Sequence, residues 1–243
     1  FTREERKELG IEALLPYHVA TIGEQVEKCY SNLKKMKEGI GKYKFLMSLY
    51  NRNEILFFRL LLTHPKEMLP IVYTPTVGDA SINYSTIHGE TRGVFISYPD
   101  RDRMDEIIAN IPKSRIDVIV VTDGGRILGL GDLGIGGMAI SVGKLCLYTL
   151  FGGIHPAFTL PIQLDVGTNN EALLNDPLYM GWRHKRLSGR EYEDFIDQFI
   201  KTIRKRFPKV IIQWEDFSKQ HAQPLLEKYR HQVCSFNDDV QGT

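Results

Sequence analysis

The stretch IDVIVVTDGGRILGLGDLGIGGMAISVGKLCLYTLFGG, residues Ile116 to Gly153, decides the fold class. Val118 to Val121 is a short β-branched run bounded by turn residues, the pattern of a strand buried on both faces. A glycine-rich loop follows. Met138 to Phe151 is then apolar nearly all round, as a buried helix is. The one charge on that segment is Lys144. A buried lysine without a full set of partners binds its proton weakly and can serve as a base near neutral pH. A lysine whose stem covers apolar surface while its ammonium reaches water fits the same pattern, so both readings stand at this point.

The loop holds Gly129-Leu-Gly-Asp-Leu-Gly134, which matches G-x-G-x-x-G after a strand and before a helix. A dinucleotide fingerprint also wants an acidic residue about 20 positions on, closing the next strand. The next strand reads as Thr159 to Leu164, and its closing Asp165 lies well past that spacing. Asp132, inside the loop, would repel a pyrophosphate. The loop therefore reads as a tight turn with close helix–strand packing. A Rossmann-type NAD site built on it is the rival.

Outward from this unit, residues 90 to 236 alternate strand and helix. Gly93 to Tyr98, Thr159 to Leu164 and Val210 to Trp214 read as strands; Arg103 to Ala109, Glu171 to Leu174, Tyr192 to Phe207 and Leu225 to Arg230 read as helices. The alternation predicts an α/β fold, a mostly parallel β-sheet with helices on both faces. Residues 1 to 89 read as a helical N-terminal region. A capped start at Thr2 closes at Leu14-Leu15-Pro16, Thr21 to Met36 is helical until Gly39 and Gly41, and Tyr43 to Leu62 is a second long helix. Pro70-Ile-Val-Tyr-Thr-Pro-Thr-Val-Gly78 stands apart. Its two prolines predict a pre-set extended piece on which Tyr73 is a rigid hydrogen-bond donor, or merely packs at a domain edge.

The chain has 243 residues, 42% hydrophobic and 25% charged, with net charge +1, so no basic balance points to nucleic acid. Cys29, Cys146 and Cys234 are scattered and odd in number, which predicts reduced thiols of a cytoplasmic protein in place of a disulfide framework or zinc site. No apolar run is read as approaching the about 18 residues of a membrane span. A homo-oligomer, dimer or tetramer, is expected, with the opening helices as one possible surface.

In such sheets chemistry gathers at the carboxyl ends of the strands, here Thr122-Asp123, Leu164-Asp165 and Glu215-Asp216. Adjacent strand residues point to opposite faces, so Glu215 and Asp216 can turn to one ion only where the strand has ended. A second acidic pair, Asp238-Asp239, lies near the end of the chain. Carboxylates without cysteine or spaced histidine favour a hard cation, Mg²⁺ or Mn²⁺; the plain alternative is helix caps and solvated acids. Arg126 could pair with Asp123 or grip a substrate carboxylate bidentately.

Six motifs together resemble malic enzyme: Tyr73-Thr-Pro-Thr-Val-Gly78, Val120 to Gly134, Val142-Gly-Lys-Leu145, Leu164-Asp-Val-Gly-Thr-Asn169, Gln213-Trp-Glu-Asp-Phe217 and Phe236-Asn-Asp-Asp-Val-Gln-Gly-Thr243. The likeness runs in order along essentially the whole chain and is to the N-terminal part of that family. Ile96 to Asp102 and Gly181 to Lys185 lean toward its bacterial NAD-type branch. The resemblance implies oxidative decarboxylation of L-malate to pyruvate and CO2 with NAD (or NADP) reduction, dependent on Mg²⁺ or Mn²⁺, and decarboxylation of oxaloacetate. It implies Lys144 as general base, Tyr73 as general acid and Asp238 beside Lys144. Arg126 would hold a carboxylate of malate and reach the cofactor, and Glu215, Asp216 and Asp239 would bind the metal. It further implies residues 90 to 236 as the catalytic domain, and residues 237 to 243 as the start of an NAD-binding domain that this sequence lacks. The alternatives are a malolactic enzyme and a non-catalytic α/β binding module whose acids are only caps.

Overall fold

The computed structural model of the protein describes residues 1–37, 39–87 and 92–242. The expected division at residues 89 and 90, and the terminal Thr243, lie outside the described residues. The helical region comprises α1 (Arg3–Glu8), α2 (Ile22–Lys34), α3 (Ile40–Arg52), α4 (Glu54–Thr63), α5 (Pro65–Val72) and α6 (Thr76–Ile82). Thr2 and Thr21 each close a capping box, with Glu5 and Glu24 reaching back to the cap amides.

Four expectations are corrected here. The segment from Tyr43 to Leu62 is two helices, because Asn53 leaves helical geometry and its side chain accepts from the Leu56 amide as a cap. Gly41 does not break a helix but lies inside α3, and α1 stops at Glu8 well before Leu14. Residues 70 to 78 are not extended; they are the end of α5, a turn with a cis Thr74–Pro75 bond, and α6. The φ that proline fixes also suits a helix. Met68, Ile71 and Val72 are buried at helical spacing, and that face decides the conformation.

The α/β region comprises β1 (Val94–Ser97), α7 (Met104–Ala109), β2 (Val118–Thr122), α8 (Gly137–Gly152), β3 (Thr159–Asp165) and α9 (Glu171–Asn175). It continues through α10 (Gly189–Arg206), β4 (Ile211–Trp214), α11 (Lys219–Tyr229), β5 (Ser235–Phe236) and α12 (Asp238–Gln241). The strands lie in the order β1-β3-β2-β4-β5, every pair parallel. One face carries α7, α10 and α11, whose Ile108, Phe195, Phe199 and Leu225 join Ile119, Ile162 and Trp214 in one core. On the other face Leu145 of α8 packs on Val118 and Val120. The rest of α8 is shared with the helical region, through Met138, Ile140 and Cys146 beside Leu46, Phe57 and Val77. Helix α8 is thus a middle layer, which explains why it is apolar all round.

That helix corrects a further expectation. Together with the preceding turn, Gly134–Gly152 is 19 residues with mean hydropathy 1.4, long and apolar enough to cross a membrane by length and composition, although 67% of it is buried inside this fold. Its glycines serve close packing. A Cβ on Gly136 would stand 2.3 Å from the Ser81 carbonyl oxygen, and one on Gly137 would stand 2.8 Å from Gln163 Oε1. The sheet order makes β2 and β4 neighbours whose outgoing connections run in opposite directions, so their carboxyl ends open a crevice.

Candidate active site

The crevice gathers side chains from four elements. Lys144, on the α8 face toward the sheet, donates to Asp238 Oδ2 at 2.6 Å and lies 3.1 Å from Glu215 Oε1. Glu215 follows β4, and Asp238 follows β5 in the first turn of α12. Tyr73, at the end of α5, donates its phenol to Glu215 Oε1 at 3.4 Å, and Lys144 Nζ sits 5.4 Å from its ring centre. Five of the residues singled out from sequence thus meet here: Tyr73, Lys144, Glu215, Asp216 and Asp238, with Asp239 close enough for its charge to act on Asp216.

The electrostatics give Lys144 a proton affinity that the sequence left open. Burial does push its proton affinity down, but Glu215, Tyr73 and Asp238 outweigh it, and the ammonium is held well above the ordinary lysine range. The lysine has the partners that its helix alone could not show. Burial, with Glu215 next, lifts the Tyr73 phenol well above its usual range, so it is a proton carrier at neutral pH. Burial pushes Glu215 far up, against the pull of Lys144. Asp216 is pushed up to about 7 by burial and by the Asp239 charge. Asp238 moves the other way: burial raises it, and its bonds to Lys144 and Gln213 bring it below the usual carboxylate range.

Asp216 and Leu128 are the two non-glycine residues with positive φ among the described residues, at 53° and 48°. Left-handed backbone at such residues costs on the order of 1–3 kcal/mol each and gathers at functional sites. Here it turns the chain just past β4, so that Asp216 leaves the strand alternation. Its carbonyl accepts from the Arg126 amide at 3.1 Å, which ties the loop after β2 to the loop after β4. The side chain of Arg126 does not join the cluster; the residue is exposed.

The suggested Asp123–Arg126 pair is replaced by another. Asp123 is buried and takes Arg186 at 3.2 Å and the Tyr192 hydroxyl at 2.8 Å. Arg186 also grips Asp132, which in turn accepts from Thr168 Oγ1 and the Asn169 amide. Asp132, placed inside the glycine motif, is therefore a brace between loops. A Cβ on Gly134 would collide with the Tyr179 hydroxyl at 2.0 Å. At Gly134 packing fills the ground a pyrophosphate would need, whereas a Cβ on Gly129 or Gly131 would meet nothing within 4 Å.

Arg186, Tyr192, Gln213 and Tyr148 were not singled out from sequence. The signal for the last two was in the spacing: Tyr148 lies four residues past Lys144 on one helix, and Gln213 two before Glu215 on one strand.

Among the described residues no three His, Cys, Asp or Glu side chains already converge as a metal cage. The donor chemistry nevertheless fits a hard cation. Glu215 and Asp238 contact the Lys144 ammonium, the Asp239 charge acts on Asp216, and Asp216 Oδ2 is buried without a hydrogen-bond partner. A buried acceptor in an acid-rich crevice is the group that a divalent ion with oxygen ligands would satisfy.

Fold and site define a doubly wound α/β protein with a lysine, a tyrosine and clustered carboxylates at the switch point of its sheet. A sequence model described as malic enzyme, N-terminal domain, matches residues 50–230. The chain is 58% identical to the NAD-dependent malic enzyme of Pseudomonas savastanoi pv. phaseolicola and 54% identical to that of Pseudomonas aeruginosa (strain LESB58). Each match covers 100% of this chain and 43% of the relative. The crystal structure of Entamoeba histolytica malic enzyme is similar at 21% identity and a TM-score of 0.38, covering 95% of this chain and 38% of that one. The chain belongs to the malic enzyme family. It spans less than half the length of the curated relatives it matches.

Proposed function

We propose that these residues form the malate-handling part of an NAD-dependent malic enzyme, which converts L-malate to pyruvate and CO2 and also decarboxylates oxaloacetate. What carries the reading is the meeting of Lys144, Tyr73, Glu215 and Asp238 in one crevice at the carboxyl edge of the sheet. Glu215, Asp216 and Asp239 would hold Mg²⁺ or Mn²⁺, which supplies Lewis-acid polarisation of the C2 oxygen. Lys144 would take the proton of the C2 hydroxyl, and NAD bound by the full-length enzyme would supply the hydride acceptor. For that it must first lose its own proton, which the carboxylates oppose; positive charge on Glu215 and Asp216 would relieve this hold. Asp238 keeps Lys144 aimed. Tyr73, protonated at neutral pH, gives its proton to C3 of the enolate. Arg126, exposed on the loop after β2 with its amide bonded to the Asp216 carbonyl, is suited to take a carboxylate of malate. The same reading makes malate the small-molecule partner of a cytoplasmic homo-oligomer.

The test is a Mn²⁺ titration and an NADH assay on the full-length protein. Glu215→Gln and Asp239→Asn are expected to weaken Mn²⁺ binding about tenfold or more, and wild type to form NADH from malate. Mn²⁺ binding unchanged in both variants overturns the ligand set. Absence of malate-dependent NADH formation overturns the activity.

A further inference from the structure

Behind the proposed catalytic pair lies a second pair, in register with it. Residues two apart on a strand share a face, and residues four apart on a helix share a stripe. Gln213 and Glu215 are two apart along β4 and just past its end, and Lys144 and Tyr148 are four apart on α8. Lys144 meets Glu215, and one turn further along Tyr148 meets Gln213 by a hydrogen bond to Oε1. Gln213 is fully buried. Its Nε2 donates to Glu215 Oε2 at 2.5 Å and to Asp238 Oδ1 at 2.8 Å.

The chemistry fixes the amide's orientation. Asp238, paired with the Lys144 ammonium, accepts and cannot donate while ionised, so the NH₂ group must face it. The Tyr148 hydroxyl donates to the other end. Glu215 and Asp238 repel each other, and one buried NH₂ spanning both offsets that repulsion without adding charge. We infer that Gln213 is a positioning residue for the metal and proton-transfer site, setting the spacing of Glu215 and Asp238, and that Tyr148 locks its amide in the working orientation. The inference rests on the proposed function only for its metal.

The test uses full-length protein with Gln213→Met, which keeps length and removes both donors, and Tyr148→Phe, which removes only the lock. Two measurements are made: Mn²⁺ affinity by titration, and amide hydrogen exchange of residues 235–241 without metal. Outer-sphere partners of metal ligands typically account for about 10- to 100-fold in affinity. Gln213→Met is expected to lose at least about tenfold, Tyr148→Phe less, and both to exchange faster over 235–241 with melting midpoints near wild type. Unchanged affinity and unchanged exchange in Gln213→Met overturn the inference, as does a loss of melting midpoint alone. A wild type that binds no Mn²⁺, with exchange still faster in the variants, overturns the proposed metal and leaves the positioning role standing.

Discussion

At the scale of single residues, the two proton-transfer roles should separate. Lys144 is the cation that Glu215 and Asp238 contact, and Tyr73 is the protonated phenol beside it. Removing a positioned acid or base typically costs about 10²- to 10⁴-fold in rate. Lys144→Ala should suppress malate oxidation while lowering oxaloacetate decarboxylation less. Tyr73→Phe should keep reduction of oxaloacetate to malate and slow protonation to pyruvate. Both partial reactions, assayed in both variants at saturating Mn²⁺, decide it; equal losses throughout would sink the division. A second residue-scale prediction concerns Asp132. Burial lifts its carboxyl, but the bonds from Arg186, Asn169 and Thr168 outweigh burial and hold it below the usual range. A folded-state value below the unfolded one gives stability present above the unfolded pKa and lost as pH falls through the folded one. Asp132→Asn should therefore cost about 2 kcal/mol near neutral pH. That difference should shrink below about pH 4, the usual aspartate range, as followed by urea melts across pH. A pH-independent difference would show that the charge is not what Asp132 contributes. Lys144 and Glu215 were legible in the sequence as residues. Their charge states were not, because the partners come from a strand and a turn far along the chain.

At the scale of elements, periodicity predicted the α8 helix, the flanking strands and the acids at their ends. It failed between residues 70 and 78, where a helix end and a cis peptide turn carry the tyrosine. Proline restrains its neighbours locally, but the buried face of Met68, Ile71 and Val72 was set by packing on other helices. What brings Tyr73 to Lys144 is the close approach of α5 to α8 at Gly143. A Cβ there would stand 2.7 Å from the Val72 carbonyl oxygen and 3.0 Å from Tyr73 Cδ2. In a helix, glycine to alanine gains about 1 kcal/mol of propensity. Overpacking against backbone that cannot yield costs about 1–3 kcal/mol. Gly143→Ala should be neutral to destabilised by about 2 kcal/mol. Its clearer mark should be slower pyruvate formation from oxaloacetate with Mn²⁺ affinity kept, since Tyr73 moves and the acids do not. A stabilised variant with wild-type partial reactions would mean that α5 and α8 do not need this contact.

At the scale of the whole molecule, the candidate site is a seam. Tyr73 belongs to the helical region, Lys144 to the shared layer α8, Glu215 to the sheet and Asp238 to the last described turn. The parallel sheet and its switch point could be foreseen from the alternation of elements. The bracing of the seam by Arg186, Asp123 and Asp132 could not, since buried charges are recognisable only once their partners are adjacent. The same bracing bears on where the dinucleotide binds. A fingerprint loop must present bare backbone amides to the pyrophosphate at an open helix start. In this chain the part of the loop next to α8 is closed: Asp132 is held by Arg186, Gly134 abuts Tyr179 and Gly136 abuts Ser81. Opening it would strip Arg186 of a partner and leave charge buried, which costs several kcal/mol. Residues 1–243 expressed alone are therefore expected to bind no NAD, whatever their Mn²⁺ affinity. Calorimetric titration with NAD, with and without Mn²⁺, checks this, and circular dichroism verifies that the chain is folded. Saturable NAD binding by this folded chain that Gly134→Ala abolishes would return the loop to the role of a nucleotide site.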